Sequence, residues 1–362
     1  MNIKPFLQIA GSYFKNRPTY VVFFVSSFCN SRCTFCFYWK NIEEHDKSKE
    51  LTFDEVKKIS EKFPDFTYLT ISGGEPFLRA DLPEIVETFV KNNNVQFVAI
   101  PTNALLPVVI KKQFTKMLKS CPKTSFRITL ALDSLFHEHD EIRGVRGNFE
   151  RYVETYYMLD DLRKEFSNFN VDTNTTISSY NQDRAKNVID YIKNNFEFDN
   201  QVLNLARGST KEHKAKEVIV DKYEECVRII EDIALSKKDR RNNIRLKLLK
   251  SIKLVMRDVI LQHVKNDKAA IKCSAARHMV ILNERGDVYP CEILGEKYRL
   301  GNLREVDYDI KTILESKKAE EVRTFIKETE CHCTYECGIQ NSLLYNPGVY
   351  FSIAKKLVKM QN

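Results

Sequence analysis

Strand-like and helix-like segments alternate through the first two-thirds of this 362-residue chain, and no other feature restricts its fold as much. Tyr20–Val25 is an apolar, β-branched and aromatic run that reads as a buried strand. Tyr68–Ile71, Val95–Ile100, Phe126–Leu132, Val171–Ile177 and Gln201–Leu205 repeat the signal. Helical periods over Thr52–Phe63, Leu82–Asn92, Val108–Leu118, Phe149–Phe166 and Asp183–Asn195 lie between them. Thr52 stands where an N-cap belongs, with Glu55 at the capping-box position. Six strands separated by helices predict a parallel sheet with right-handed crossovers.

Composition sets the class. Hydrophobic residues make up 43% and charged residues 29%, a globular balance. No apolar run reaches the roughly 20 residues of a membrane span. Residues 1–28 lack the apolar core and cleavage site of a signal peptide. Ten cysteines without an export signal read as metal ligands or reduced thiols in a cytoplasmic protein. The net charge of +8 is spread, as in Lys237-Lys238-Asp239-Arg240-Arg241. It reads as a solvated surface or as a surface for an anionic partner. Nothing resembles a nucleic-acid module, so such a partner ranks last.

Cys29, Cys33 and Cys36 form a C-x3-C-x2-C run just beyond the first strand. Three thiolates on one loop can hold three irons of a four-iron cluster and leave the fourth open. A structural zinc knuckle is the alternative. The second strand ends in Gly73-Gly74-Glu75-Pro76, where glycines permit positive φ and close backbone approach.

The cysteine spacing, Phe35 before the third cysteine and the Gly73-Gly74-Glu75-Pro76 loop together resemble the radical S-adenosylmethionine (radical SAM) superfamily over residues 20–210. The resemblance implies a partial (β/α)6 TIM-like barrel, an α/β fold with the site at the C-terminal strand ends. It implies a catalytic [4Fe–4S] cluster on Cys29, Cys33 and Cys36, with S-adenosylmethionine on the open iron. Reductive cleavage would then give a 5′-deoxyadenosyl radical, fed by a reductant such as flavodoxin or ferredoxin. By the same resemblance Gly73, Gly74, Glu75 and Pro76 form the loop for the methionine ammonium. Phe35, or its neighbour Phe37, flanks the adenine; packing in the barrel wall is the alternative. Asn103 and Asp133 end strands and suit ribose hydroxyls or helix caps. Arg143, in His139-Asp140-Glu141-Ile142-Arg143-Gly144, suits a carboxylate fork or a surface salt bridge. Arg207 and Gly208 could line the same mouth. No general base or other catalytic side chain emerges.

A second cysteine group follows. Cys273, Gly286 and Cys291 read C-x12-G-x4-C around a hairpin of Met279–Leu282 and Asp287–Tyr289. Cys331, Cys333 and Cys337 come next. This layout resembles the auxiliary-cluster extensions called SPASM and twitch domains. The second half departs from the full pattern, since nothing beyond Cys337 is a cysteine. Five thiolates close one four-thiolate cluster. The expected ligands are Cys273, Cys291 and Cys337, with Cys331 or Cys333 as the fourth. Two incompletely ligated clusters and a zinc site are the alternatives, and His332 is a bystander.

The chain then divides into an N-terminal segment (1–19), the barrel (20–210), a helical linker (211–267), the auxiliary domain (268–340) and a tail (341–362). The linker helices, Val218–Ser236 and Ile244–Val264, are expected to carry the chain away from the barrel. Within the tail, Val349–Met360 reads as a basic amphipathic helix, docked on the protein or touching an anionic membrane. The first expectation for function is hydrogen abstraction from a small or lipid-linked metabolite. The second is a maturase acting on a ribosomal peptide, disfavoured because only 28 residues precede Cys29. A non-catalytic iron–sulfur electron-transfer protein is the third.

Overall fold

The structure, a computed structural model, describes residues 11–13, 16–236 and 244–359. The basic stretch from Lys237 to Arg241 and Met360 lie outside the described residues.

Six parallel strands form the body: β1 (Tyr20–Phe24), β2 (Tyr68–Ser72), β3 (Phe97–Thr102), β4 (Ser125–Ala131), β5 (Phe169–Ile177) and β6 (Asn200–Leu205). They lie in sequence order across the sheet, each paired to the next. The crossovers carry α1 (Trp39–Glu43), α2 (Phe53–Lys62), α3 (Leu82–Asn92), α4 (Pro107–Ser120), α5 (Phe136–Arg143), α6 (Asn148–Leu162) and α7 (Ala185–Asn195). The expected capping box at α2 is present, with Thr52 and Glu55 bonded reciprocally.

Strand alternation separates two interiors. In β4, Phe126, Ile128 and Leu130 are buried against the helices. Ser125, Arg127, Thr129 and Ala131 alternate with them and face a central cavity. The helix side is a packed aromatic layer in which Phe114 meets Phe126 and Phe169 edge to face. Cutting Phe114 to Ala there removes a fully buried ring, a change that costs ~3–5 kcal/mol.

Two features differ from expectation. The linker helices α8 (Val220–Ser236) and α9 (Ile244–Asn266) do not leave the barrel. Lys253 of α9 reaches Asp172 of β5, and Arg257 donates to the Gln201 carbonyl of β6 at 2.6 Å. Val255, Met256, Val259, Ile260 and Leu261 are all buried, so the middle of α9 is too apolar to stand free. It packs with Ile177, Leu203 and Leu205 in a second core.

The hairpin likewise extends the barrel sheet. β7 (Met279–Leu282) pairs parallel to β1, with Tyr20 opposite Met279, and β8 (Asp287–Tyr289) and β9 (Gly301–Asn302) follow antiparallel. Nine strands thus form one sheet.

The chain ends in α10 (Ile310–Leu314), α11 (Lys317–Glu328), α12 (Glu336–Leu343) and α13 (Tyr350–Lys359). The tail helix α13 docks on the second core through Ile353. Lys356 turns inward to Glu231 and Asp258, while Tyr350, Phe351 and Val358 stay exposed. Among the described residues no helix is long and apolar enough to cross a membrane.

Candidate active site

The cysteine run leaves the C-terminal end of β1 and is pinned on three sides by other strand ends. The Gly74 and Glu75 amides donate to the Ser26 and Phe28 carbonyls at 2.8 and 2.9 Å. A Cβ on Gly74 would stand 2.1 Å from the Phe28 carbonyl oxygen, so only glycine allows this approach. From the α5 side, Arg32 and Thr34 donate to the Arg143 and Ile142 carbonyls at 2.9 and 3.0 Å. Gly144 caps α5 with a φ of 65°, directly beneath Arg32. From beyond β6, Lys211 and Glu212 donate to the Cys36 and Thr34 carbonyls at 3.0 and 2.9 Å.

Cys29, Cys33 and Cys36 are free thiols, the first two buried. Burial first, with neighbouring cysteines of the run adding to it, pushes Cys29 and Cys36 up to about 12. Such thiols become thiolates when a cation binds them. The donor set, one loop of three soft ligands, fits an iron–sulfur cluster.

Around this loop the expected ligand-binding residues are largely engaged with one another. Glu75 is 2% exposed. Its carboxylate accepts from the Phe77 amide, the Thr102 hydroxyl and the Asn103 amide at 3.2, 2.9 and 2.8 Å. Burial pushes it up to about 7. Pro76 opens the short turn that follows. Asn103 donates to Asn30 at 2.7 Å and Ser31 at 3.0 Å, tying β3 to the cysteine loop.

Asp133 and Arg143 need correction. Asp133 is fully buried, with one oxygen accepting from the Thr176 amide at 2.8 Å and the other from Arg143 at 2.6 Å. Neither oxygen is left for a ribose hydroxyl. Arg143 places Nε and Nη2 on Asp133 and turns Nη1 to the Cys33 sulfur at 3.8 Å. It is neither a surface salt bridge nor an open carboxylate fork. Its guanidinium lies 5.6 Å from the Phe35 ring, so Phe35 packs over this pair. His139 accepts from the Asp133 amide at 3.1 Å, and burial holds it well below its usual range. Only the Arg143-to-Asp133 spacing, one strand end to one helix, could have suggested the pair from sequence.

The barrel encloses a cavity of about 500 Å³. One wall is aromatic and apolar, with Tyr20, Tyr68 and Phe97; the other is polar, with Thr129, Asn174 and Asn204. Phe37 lines it beside the cysteine loop. Arg207, missed as a bridge, donates to Glu292 at 2.6 Å and lies 5.1 Å from the Tyr335 ring, closing the mouth.

The auxiliary thiols act on one another electrostatically. Burial and then Cys333 and Cys331 raise Cys273, to about 12. Cys291 is raised by burial and by Cys333 and Cys273. Burial and Cys331 raise Cys333 to about 11. The groups around Cys337 are the Tyr20 hydroxyl, Glu292 and Glu336, and Cys337 lines the central cavity. His332 instead contacts Asp267 at 3.2 Å.

Residues 23–192 match the Radical SAM superfamily, and residues 273–338 match the SPASM iron-sulfur cluster-binding domain. A probable GTP 3′,8-cyclase of Methanococcus maripaludis is 34% identical over 124 residues, 34% of this chain and 39% of the cyclase. The subtilosin biosynthesis protein AlbA of Bacillus subtilis is 23% identical over 324 residues, 84% of this chain and 61% of AlbA. The match thus spans about two-fifths of the cyclase and less than two-thirds of AlbA. Streptococcus suis SuiB bound to S-adenosylmethionine shares the fold, with a TM-score of 0.59 at 16% identity over 89% of this chain and 71% of SuiB.

Proposed function

The chain belongs to the radical SAM superfamily and carries a C-terminal SPASM domain, and from that premise we propose that it abstracts a hydrogen atom from a peptide held in the central cavity. The family's cofactors are [4Fe–4S] clusters and S-adenosylmethionine. When bound, they supply one-electron cleavage to methionine and a 5′-deoxyadenosyl radical.

The residues of this chain have separable tasks in that reading. Cys29, Cys33 and Cys36 would hold the barrel cluster, and Cys273, Cys291, Cys331 and Cys333 the auxiliary one. The Gly73–Gly74 backbone leaves room for the methionine end of the cofactor. Glu75 and Asn103 position that loop against the cysteines, and the Arg143–Asp133 pair holds positive charge beside Cys33. The observation that carries the proposal is one cavity bounded by both groups: Phe37, next to Cys36, and Glu292, next to Cys291, both line it. A substrate there lies between the two centres and is shielded from water by α9.

Two relatives support a peptide over a metabolite. AlbA, a bacteriocin biosynthesis protein, aligns over 84% of this chain. SuiB has been solved bound to the precursor peptide SuiA. A small metabolite is the second reading, because a cavity of about 500 Å³ also suits a compact ligand. Anaerobically reconstituted protein incubated with deuterated candidate peptides, including short reading frames beside the gene, tests the choice. Deuterium is expected in 5′-deoxyadenosine from a peptide. Transfer from a small metabolite alone sinks the peptide reading, and absence of any cleavage supports an electron-transfer protein instead.

A further inference from the structure

Halfway down the cavity lies a group of charges that the chemistry above does not use. Arg127 of β4 and Lys253 of α9 share one carboxylate, Asp172 of β5. Arg127 Nη1 stands 2.9 Å and Lys253 Nζ 3.2 Å from Asp172 Oδ2, which also accepts from Asn200 at 3.4 Å. Asp172 is fully buried, yet its Oδ1 has no hydrogen-bond partner. One turn along α9, Arg257 is 3% exposed and donates to a backbone carbonyl. All four residues line the cavity.

Three basic groups face two acidic ones here, Asp172 and Glu336, so basic groups are in excess in this part of the cavity. Glu336 of α12 also acts on Arg257 and Lys253, and burial pushes its own carboxyl up to about 7. Burial and the like charge of Arg127 hold Lys253 down at about 7, the direction expected of a cation short of an anion. Cationic side chains that line a cavity with donors to spare, Arg257 of them buried, favour an anion that completes them. The free Asp172 oxygen adds a second requirement. It calls for a donor beside that anion, which a peptide N–H supplies.

We propose that Arg127, Lys253 and Arg257 form a pocket for a carboxylate of the peptide substrate, with Asp172 holding two of them in place and accepting a neighbouring peptide N–H. This rests on the peptide reading above and specifies it: the segment in the cavity carries an acidic side chain or a terminal carboxylate. The pocket lies on β4, β5 and α9, with Arg127 beside Ala99 of β3 in the sheet register, so a carboxylate held there fixes the orientation of the segment in the cavity.

The test is calorimetric binding to the reconstituted, S-adenosylmethionine-loaded protein. The probes are acetyl-Glu-NH2, its neutral isostere acetyl-Gln-NH2, and inorganic phosphate. The glutamate probe is expected to bind at least ~10-fold tighter than the glutamine probe. That preference should vanish in Arg127→Gln and Lys253→Met and persist in Lys253→Arg. The single charge removals leave Asp172 under-paired, so thermal unfolding and iron content accompany them. Should they fail to fold, the Asp172→Asn/Lys253→Met double variant, which removes both charges, takes their place and should also lose the preference. Equal binding of the two amides by wild type, or none up to ~50 mM, overturns the pocket. Tighter binding of phosphate than of the glutamate probe overturns the carboxylate assignment. The peptide reading is judged separately, by deuterium transfer in the wild type, so either can fail while the other stands.

Discussion

The two thiol groups of this protein are held by different means. Cys29, Cys33 and Cys36 lie on one loop, fixed by backbone hydrogen bonds to the β2, α5 and β6 ends. Cys273, Cys291 and the Cys331–Cys333 pair come from three stretches of chain gathered by tertiary contacts. The β7–β1 pairing anchors the hairpin. Ser274 bonds to Ser342 and Asn341 across the group at 3.0 and 2.9 Å. Arg207 ties Glu292 to the barrel mouth. A site made of backbone tolerates little change in its neighbours but announces itself by spacing. A site made of side-chain contacts tolerates varied spacing, so its ligands cannot be ranked from spacing.

The largest expected effect separates the two groups. Reconstituted wild type is expected to hold about eight irons, as two four-iron clusters. Changing Cys29, Cys33 and Cys36 together to Ala should remove about half of them and all 5′-deoxyadenosine formation. The quadruple Ala variant of Cys273, Cys291, Cys331 and Cys333 should lose the other half, whereas Cys337→Ala should keep both. Iron analysis decides: a Cys337→Ala protein that loses about four irons returns Cys337 to the ligand set.

Arg143→Ala comes next. It would leave Asp133 charged, buried and unpaired, a loss of ~3–5 kcal/mol. The outcome expected is lower thermal stability and poor iron loading, on top of weaker S-adenosylmethionine binding. A variant with wild-type stability and only a raised Kd would mean that the pair matters to the ligand and not to the loop.

Much of this arrangement was readable in the chain. The six barrel strands and the α2 cap follow from apolar alternation and Thr52–Glu55 spacing, which are local signals. The cysteine run and the Gly73–Gly74 turn were equally plain, because close backbone approach demands glycine. Hidden were the features that depend on distant partners. Nothing in Met279–Leu282 says that it pairs with β1. The charge of Ile244–Asn266 masked its apolar middle, so its return over β5 and β6 was missed. Asp133 and Arg143 looked like two ligand contacts because a sequence cannot show that they satisfy each other. Arg127, Asp172 and Lys253 carried no signal, being isolated charges in three different elements.

Glycine substitutions sharpen the contrast. Gly74→Ala puts a Cβ 2.1 Å from a backbone oxygen, and neither loop can yield without moving a cysteine. A cost of about 3 kcal/mol, or a displaced loop that no longer loads iron, is expected. Gly301→Ala, in β9 of the auxiliary region, meets the Ile313 Cγ1 at 3.3 Å, a side chain that can shift by a rotamer adjustment. Its cost should stay near ~1 kcal/mol with full iron loading. Comparable iron loss in both would mean that the auxiliary group is as rigid as the barrel loop.

The smallest effect tests the clip between the two regions. Arg304, after β9, grips Glu55 of α2 through Nε at 2.6 Å and Nη2 at 3.0 Å, and Tyr308 adds a bond at 3.1 Å. The Arg304 hydrogen bonds first, with the Thr52 amide and hydroxyl and the Arg304 charge, hold the Glu55 carboxyl down at about 2. The sign follows from a depressed acid. Its stabilisation is fully present above the unfolded-state value of ~4.3 and is lost as pH falls toward the folded-state value. Arg304→Ala should therefore cost on the order of 1 kcal/mol at neutral pH, since the pair is partly solvated. The gap to wild type should stay constant from pH ~8 to ~5 and begin to close only below ~4.3. Thermal unfolding of both proteins across that range checks it. A gap already closing near pH ~6.5 would point to a histidine instead. An unchanged melting temperature in Arg304→Ala would mean that the β7–β1 pairing and the Arg207–Glu292 bridge hold the auxiliary region without this clip.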